Sequence, residues 1–183
     1  EDFIECIKNI YSINKARNEV LLKEAKELSD LLFKNNINHI FLKGAALLLS
    51  NVFEDIGERM MCDIDFIIQY KDEEKIKKVL EKNKYVSKDS NHSFQVFKPK
   101  HLPRMVNKNK TIGIEPHLEL LSPISRYVFN SKKLISSFKD KSKTIKIPSK
   151  SFLFDHCIYA LQIEDRRILN SNHSHRSIYD IYK

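Results

Sequence analysis

The chain has 183 residues, which fits one compact domain, or a domain with a helical appendage, and suffices to bury a sizeable core. Lys and Arg number 32 against 24 Asp and Glu, a formal net charge of +8, which suits a polyanionic partner and equally a solvated basic face. No apolar run approaches the length needed to span a bilayer, the amino end Glu1-Asp2-Phe3 lacks the basic and apolar regions of a signal peptide, and Cys6, Cys62 and Cys157 have no zinc spacing and an odd count. Together these argue against a membrane partner, a disulfide partner and a structural zinc site, and they fit a reducing cytoplasm.

In chain order, Val20, Leu21, Ala25, Leu28, Leu31 and Leu32 recur at helical spacing and predict an amphipathic helix over residues 14–35. Ile37 to Leu42 reads as a short apolar strand, Lys43-Gly44 as a turn, and Ala45 to about Val52 as a second helix. A turn around Asp55-Ile56-Gly57 leads to a strand from Cys62 to Tyr70, and Asp72 is expected to cap a helix reaching about Asn83, with Glu73 and Glu74 in its first turn. Three β-like stretches follow, Lys84 to Ser87, Ser93 to Lys98 and Thr111 to Leu120, then a polar, Ser/Lys-rich stretch and a further candidate strand from Lys143 to Ile147. Pro148-Ser149 is expected to start a helix that includes Phe154, Ile158 and Leu161, and His175 to Tyr182 to begin another. Because the chain starts without Met and stops inside that last helical pattern, a trimmed fragment is expected. The fold class is therefore α/β in the broad sense (α+β), a mixed sheet with helices at both ends, and no internal repeat or low-complexity linker is present.

The densest chemistry lies in Asp63-Ile64-Asp65. On a strand, the two-residue period places both carboxylates on one face and Ile64 and Phe66 on the other. Two like charges that close repel unless a cation separates them, and hard oxygen ligands favour Mg²⁺ over softer metals. The same pair would also fit a strand end carrying two solvated acids, but the flank Phe66-Ile67-Ile68 is more apolar than an exposed edge, so a buried partner is expected. Thr111 to Glu119 then offers Glu115, His117 and Glu119 on one strand face, with Glu115 the third ligand of choice and His117 either a ligand or a hydrogen-bonded structural histidine. Gly44, Gly57 and Gly113 are the only glycines, each beside or near one of these charged residues. Gly44, between a strand and a helix and next to Lys43, suits either a phosphate-holding turn or an ordinary turn.

Joined together, Leu42-Lys43-Gly44-Ala45-Ala46-Leu47-Leu48, Gly57-Glu58-Arg59, Asp63-Ile64-Asp65, His101-Leu102-Pro103 and Ile114-Glu115-Pro116-His117 resemble the nucleotidyltransferase domain of the DNA polymerase β superfamily. The similarity is greatest to an uncharacterised bacterial branch in which Lys-Gly replaces the usual Gly-Ser, related to the abortive-infection toxin nucleotidyltransferases. It covers about residues 37–120, while residues 150–183 are similar only in pattern, a helix with an inner His156 and a helix bearing Asp180.

The resemblance implies a nucleotidyltransferase core at 37–148 between a helical segment at 1–36 and another at 149–183. It implies that Asp63, Asp65 and Glu115 are catalytic and hold two Mg²⁺, with Mn²⁺ an alternative, and that Glu115 helps to activate an attacking hydroxyl. Lys43, Gly44, Ala45 and Arg59 would lie at the nucleoside triphosphate, and His101 either faces the pocket or anchors its loop. The acceptor stays open among a small molecule, a protein and RNA. Departures from the pattern leave two further readings, a catalytically inactive nucleotide- or RNA-binding module and a toxin that modifies tRNA. Pro116 removes a ladder N–H and is expected to mark a sheet edge or a bend.

Overall fold

The structure is a computed structural model describing residues 2–88, 99–122, 125–138, 144–164 and 175–183. Helix α1 spans Asp2–Lys34, strand β1 His39–Phe41, α2 Lys43–Leu49, β2 Asp63–Ile68, α3 Glu73–Lys82, β3 Tyr85–Ser87, β4 Met105–Asn107, β5 Gly113–His117, α4 Ser131–Ser137, α5 Lys150–Tyr159 and α6 His175–Tyr182. The strands form one mixed sheet in the order β1-β2-β5-β4-β3, in which only β2 and β5 run parallel. Among the described residues no helix is long and apolar enough to cross a membrane.

The alternation in β2 decides which elements lie on which side. Ile64, Phe66 and Ile68 join Leu21, Leu28 and Leu32 of α1 and Ile76 and Leu80 of α3 in the larger core. Ile67, on the opposite face with the acids, packs with Ile40, Leu42, Leu120 and Leu134 in a smaller core, against which Phe152 and Tyr159 of α5 lie. The acid-bearing face is thus apolar at one end and charged at the other, and burial of both ends' apolar residues holds the charged end in place.

Buried polar groups of α1 fasten the loops around that charged end. Asn18, fully buried, donates from Nδ2 to the carbonyls of Ile56 and Arg59, the latter at 2.7 Å. Glu24 accepts the backbone N–H groups of Thr111 at 2.9 Å and Ile112 at 3.2 Å, which fixes the residues just before β5. Each bond satisfies a backbone group that the irregular chain leaves without a ladder partner.

Several expectations are corrected. Helix α1 begins at Asp2 rather than near residue 14, and Phe3, Ile4 and Ile7 on its added turns stay exposed. No strand forms over residues 144–147, where the Phe41 N–H donates to the Lys146 carbonyl at the sheet edge. The expected strand from Ser93 to Lys98 lies outside the described residues. Asp72 stands at the head of α3 without a side-chain capping bond, because a 3₁₀ turn over Tyr70–Asp72 leads into the helix. The polar stretch holds α4, capped by Asn130, which accepts the Lys132 N–H at 2.7 Å.

Pro116 is neither at an edge nor at the end of pairing, since β5 lies between β2 and β4. The neighbouring strand adapts instead. Met105 pairs with Ile114 and His101 with His117, so the 101–105 side carries one residue more than β5, a bulge opposite the proline. Leu102 donates its N–H to the Pro116 carbonyl at 2.8 Å, and the Leu102 carbonyl, which Pro116 cannot serve, accepts from His101 Nδ1 at 2.9 Å. The histidine side chain replaces the missing ladder donor.

Replacing Asn18 by Ala removes both bonds to the 56–59 loop and leaves buried carbonyls unpaired, so a loss of roughly 1–3 kcal/mol is expected in denaturant melts, with the melting temperature falling by roughly 2–4 °C per kcal/mol.

Candidate active site

Parallel pairing of β2 with β5 sets Asp65 directly beside Glu115 and Asp63 beside Gly113. The two carboxylates of the first pair therefore share one sheet face at neighbouring-strand distance. His117, two residues past Glu115, returns to that face, and its Nε2 donates to Asp65 Oδ1 at 2.8 Å and lies 3.9 Å from Glu115 Oε2. Asp65, Glu115 and His117 each offer a ligand atom within 4.8 Å of the others.

Lys43 supplies the positive charge at this cluster. Leu42 donates its N–H to the Asp65 carbonyl, so β1 leaves the sheet opposite Asp65, and the next residue adopts a left-handed φ of 48°. For a lysine that conformation costs on the order of 1–2 kcal/mol. It sends the ammonium back to Asp65 Oδ1 at 2.6 Å. Strain of this kind at a charged site marks a position held by its surroundings and not by local preference.

Burial alone would push the Asp65 carboxyl up, but the His117 hydrogen bond and the Lys43 charge outweigh it and hold the group well below the usual carboxylate range. Burial also opposes the charge of Lys43, and Asp65, Glu115 and Asp63 together push its pKa up nonetheless. Glu115 is raised by burial and then by Asp65 and Asp63, and Asp63 is raised by burial and then by Asp65. Asp65 is thus held in its ionised form, and the two acids beside it are less completely compensated.

Asp63 stands apart from the three-residue cluster. Its Oδ2 faces Arg104 Nε at 3.8 Å, and Arg104 lies over Gly113, where a Cβ would come within 2.6 Å of that nitrogen. Gly113 is therefore the residue that lets an arginine approach the first acid of the Asp-x-Asp. Arg59, in turn, forks its Nε and Nη2 onto Asp180 of α6 at 2.7 and 2.6 Å. The bare face of Gly44 is filled by Arg59 and the Met61 sulfur, and Ala45 is fully buried in the larger core. His101 is spent on the Leu102 carbonyl, though its ring lies 5.3 Å from that of His117. Glu119, beyond the end of β5, accepts from Ser131 Oγ at 2.5 Å and does not join the cluster.

A cavity of about 280 Å³ opens beside Lys43, walled by Arg59, Lys100, His156 and, from α6, Arg176 and Asp180. Lys100 and Arg176 add positive charge to the Lys43–Asp65 and Arg59–Asp180 pairs there, so an anion is the complementary ligand. Lys100, Arg104 and Arg176 were not legible as site residues. Gly113 opposite Asp63 was a usable signal for Arg104, since a glycine in a strand interior often marks a close approach. Nothing local marks Lys100 or Arg176.

The donor set fits a hard divalent cation. Two carboxylates converge from adjacent strands, His117 holds one of them, and the cluster already stabilises a positive charge in the Lys43 ammonium.

A mixed sheet whose neighbouring strands bring acids and a histidine together beside a cationic cavity fits a nucleotidyltransferase. The sequence model of a family described as uncharacterised nucleotidyltransferases matches residues 1–183, and the chain belongs to that family. Neither a curated protein nor a solved structure matches it.

Two outcomes follow for the protein in chelator. Glu115→Gln relieves like-charge repulsion and is expected to stabilise by roughly 0.5–2 kcal/mol, whereas Asp65→Asn strips Lys43 and His117 of their partner and is expected to cost roughly 2 kcal/mol or more in the same denaturant melts. Burial also holds His39 and His117 down to about 4 and His156 to about 3. These rings are neutral in the fold and protonate in the unfolded chain near pH 6.5. Their contribution is complete above about pH 6.5 and is lost as the pH falls toward 4, because the unfolded chain binds more protons there. Melts at pH 7 and pH 5 should show the loss, reduced in a His156→Phe variant.

Proposed function

We propose that the protein transfers a nucleoside monophosphate from a nucleoside triphosphate to an acceptor hydroxyl, with Mg²⁺ as the metal, two ions engaged, and Mn²⁺ able to replace it. The observation that carries this reading is the convergence of Asp65, Glu115 and His117 on one sheet face next to a cationic cavity. The acceptor oxygen attacks the α-phosphorus, the bond to the pyrophosphate oxygen breaks, and the hydroxyl proton leaves for a carboxylate. Glu115 is the proton acceptor in this scheme, as the carboxylate set directly beside Asp65 on the neighbouring strand.

Asp65 and Glu115, with Asp63 beyond them, are the metal ligands. Divalent ions bound there would neutralise the triphosphate and stabilise the attacking and leaving oxygens. Asp63 would have to exchange Arg104 for such an ion, and Asp65 its Lys43. The released ammonium then stands at the mouth of the cavity as a phosphate partner, which suits the position of Lys43 at the head of α2. His117 orients Asp65 through Nε2. The catalytic part of the chain on this account is residues 37–148, with 1–36 and 149–183 as its supports, in a cytoplasmic member of the bacterial Lys-Gly branch.

The ion pair between Lys43 and Asp65 favours a second reading, a module that binds nucleotide without turnover because its acids are neutralised internally. Calorimetry distinguishes them: triphosphate binding that ignores Mg²⁺ and yields no pyrophosphate fits the binder. The net charge of +8 favours RNA among the acceptors, and tRNA if the toxin relationship holds. A steep fall of binding with salt would bear that out.

Incubation with Mg²⁺, labelled triphosphates and candidate acceptors is the direct test. Transfer should require the metal and drop by about 10²–10³-fold in Asp65→Asn and in Glu115→Gln. Metal-dependent transfer that persists in Asp63→Ala plus Asp65→Ala would remove these residues from the mechanism.

A further inference from the structure

Arg59 borders the cavity, yet its nitrogens are already used. Nε and Nη2 close on both oxygens of Asp180, Nη1 donates to the Met60 carbonyl at 3.3 Å, and the side chains of the ion pair are each 8 % exposed. A guanidinium whose fork is taken by a buried carboxylate has no free pair of donors with which to clamp a phosphate.

What the pair does is join α6 to the loop that precedes β2, across 121 residues of sequence. The same loop holds α6 at further points. The Tyr179 hydroxyl donates to Glu58 at 2.8 Å, Lys183 pairs with Glu58 at 2.6 Å, and the Tyr179 ring packs on Phe53 at 5.9 Å. Asn18 of α1 in turn fixes the Arg59 carbonyl, so the fastening point is itself rigid. Docked in this way, α6 brings Arg176 into the cavity wall together with Lys43 and Lys100. Arg176 also contributes one of the positive charges that partly offset the raised pKa of Asp63, which places it within electrostatic reach of the acids.

We propose that Arg176 is a phosphate-binding residue for the polyphosphate tail of the nucleotide, and that the buried Arg59–Asp180 pair is a positioning device that holds α6 so that Arg176 faces the cavity. Arg59 acts through α6 and does not itself touch the nucleotide. This assignment rests on the nucleotidyl-transfer reading and adds to it a cationic wall contributed by the last helix.

The test is calorimetric titration of the full chain with a non-hydrolysable nucleoside triphosphate and Mg²⁺, for wild type, Arg176→Ala, Asp180→Ala and the double variant. Arg176 is exposed, so its replacement should leave the melting temperature unchanged while weakening binding by about tenfold, the loss of one charge-assisted contact. Asp180→Ala should weaken binding to a similar extent, and the double variant should bind no more weakly than the weaker single variant, because both changes remove the same contact. Binding by Arg176→Ala within twofold of wild type overturns the phosphate role. Fully additive losses overturn the positioning role. Failure of the wild type to bind the analogue would instead overturn the nucleotide reading, and so is distinguishable from either result.

Discussion

The site depends on one buried charge. Asp65 lies almost wholly inside the protein, and an ionised carboxylate there is tolerable only because Lys43 and His117 both donate to its Oδ1. Those two donors come from opposite sides, one from the end of β1 and one from β5, so a single acid on β2 ties together three neighbouring strands at the charged end of the sheet. The left-handed turn at Lys43, the parallel register of Asp65 with Glu115, and the return of His117 to the same face all serve that arrangement.

The remaining charges are compensated less completely. Glu115 lies 3.9 Å from the His117 ring nitrogen and Asp63 faces Arg104 at 3.8 Å, both longer than the 2.6 Å contact of Lys43 with Asp65. The three acids therefore repel one another in a partly buried site, a cost that the two apolar cores on either face of the sheet must offset. Such residual repulsion is what would make a divalent cation a favoured occupant, and it ties stability to function at the same residues.

Much of this was legible in the sequence, and the limits have physical reasons. Alternation in Asp63-Ile64-Asp65-Phe66 correctly separated an acid face from an apolar one, and Glu115 and His117 fall on the acid face as the two-residue period requires. What period alone cannot show is which acids become neighbours, since that is set by register. The parallel pairing joins Asp65, and not Asp63, to Glu115, and seats Arg104 against Asp63 through Gly113. Pro116 was expected at an edge or a bend because it lacks a donor; it lies inside the sheet, where a bulge in the neighbouring strand and the His101 side chain absorb that defect. Helix α4 and strand β4 were missed because Ser-Lys-Lys-Leu-Ile-Ser-Ser and Met-Val-Asn are too short to carry a period. Asp180 could be noted only as part of a helix, because its partner Arg59 lies far away in sequence.

The central claim is that Asp65 and Glu115, with Asp63, form a divalent-cation site that Lys43 now shares as an internal counter-charge. A crystal soaked with Mn²⁺ and a non-hydrolysable nucleoside triphosphate tests it through the anomalous signal of the metal. The account predicts manganese between Asp65 and Glu115, within ligand distance of both, with the Lys43 ammonium displaced from Asp65 toward the phosphates. Manganese bound elsewhere, or an unbroken Lys43–Asp65 pair beneath a bound triphosphate, would contradict it.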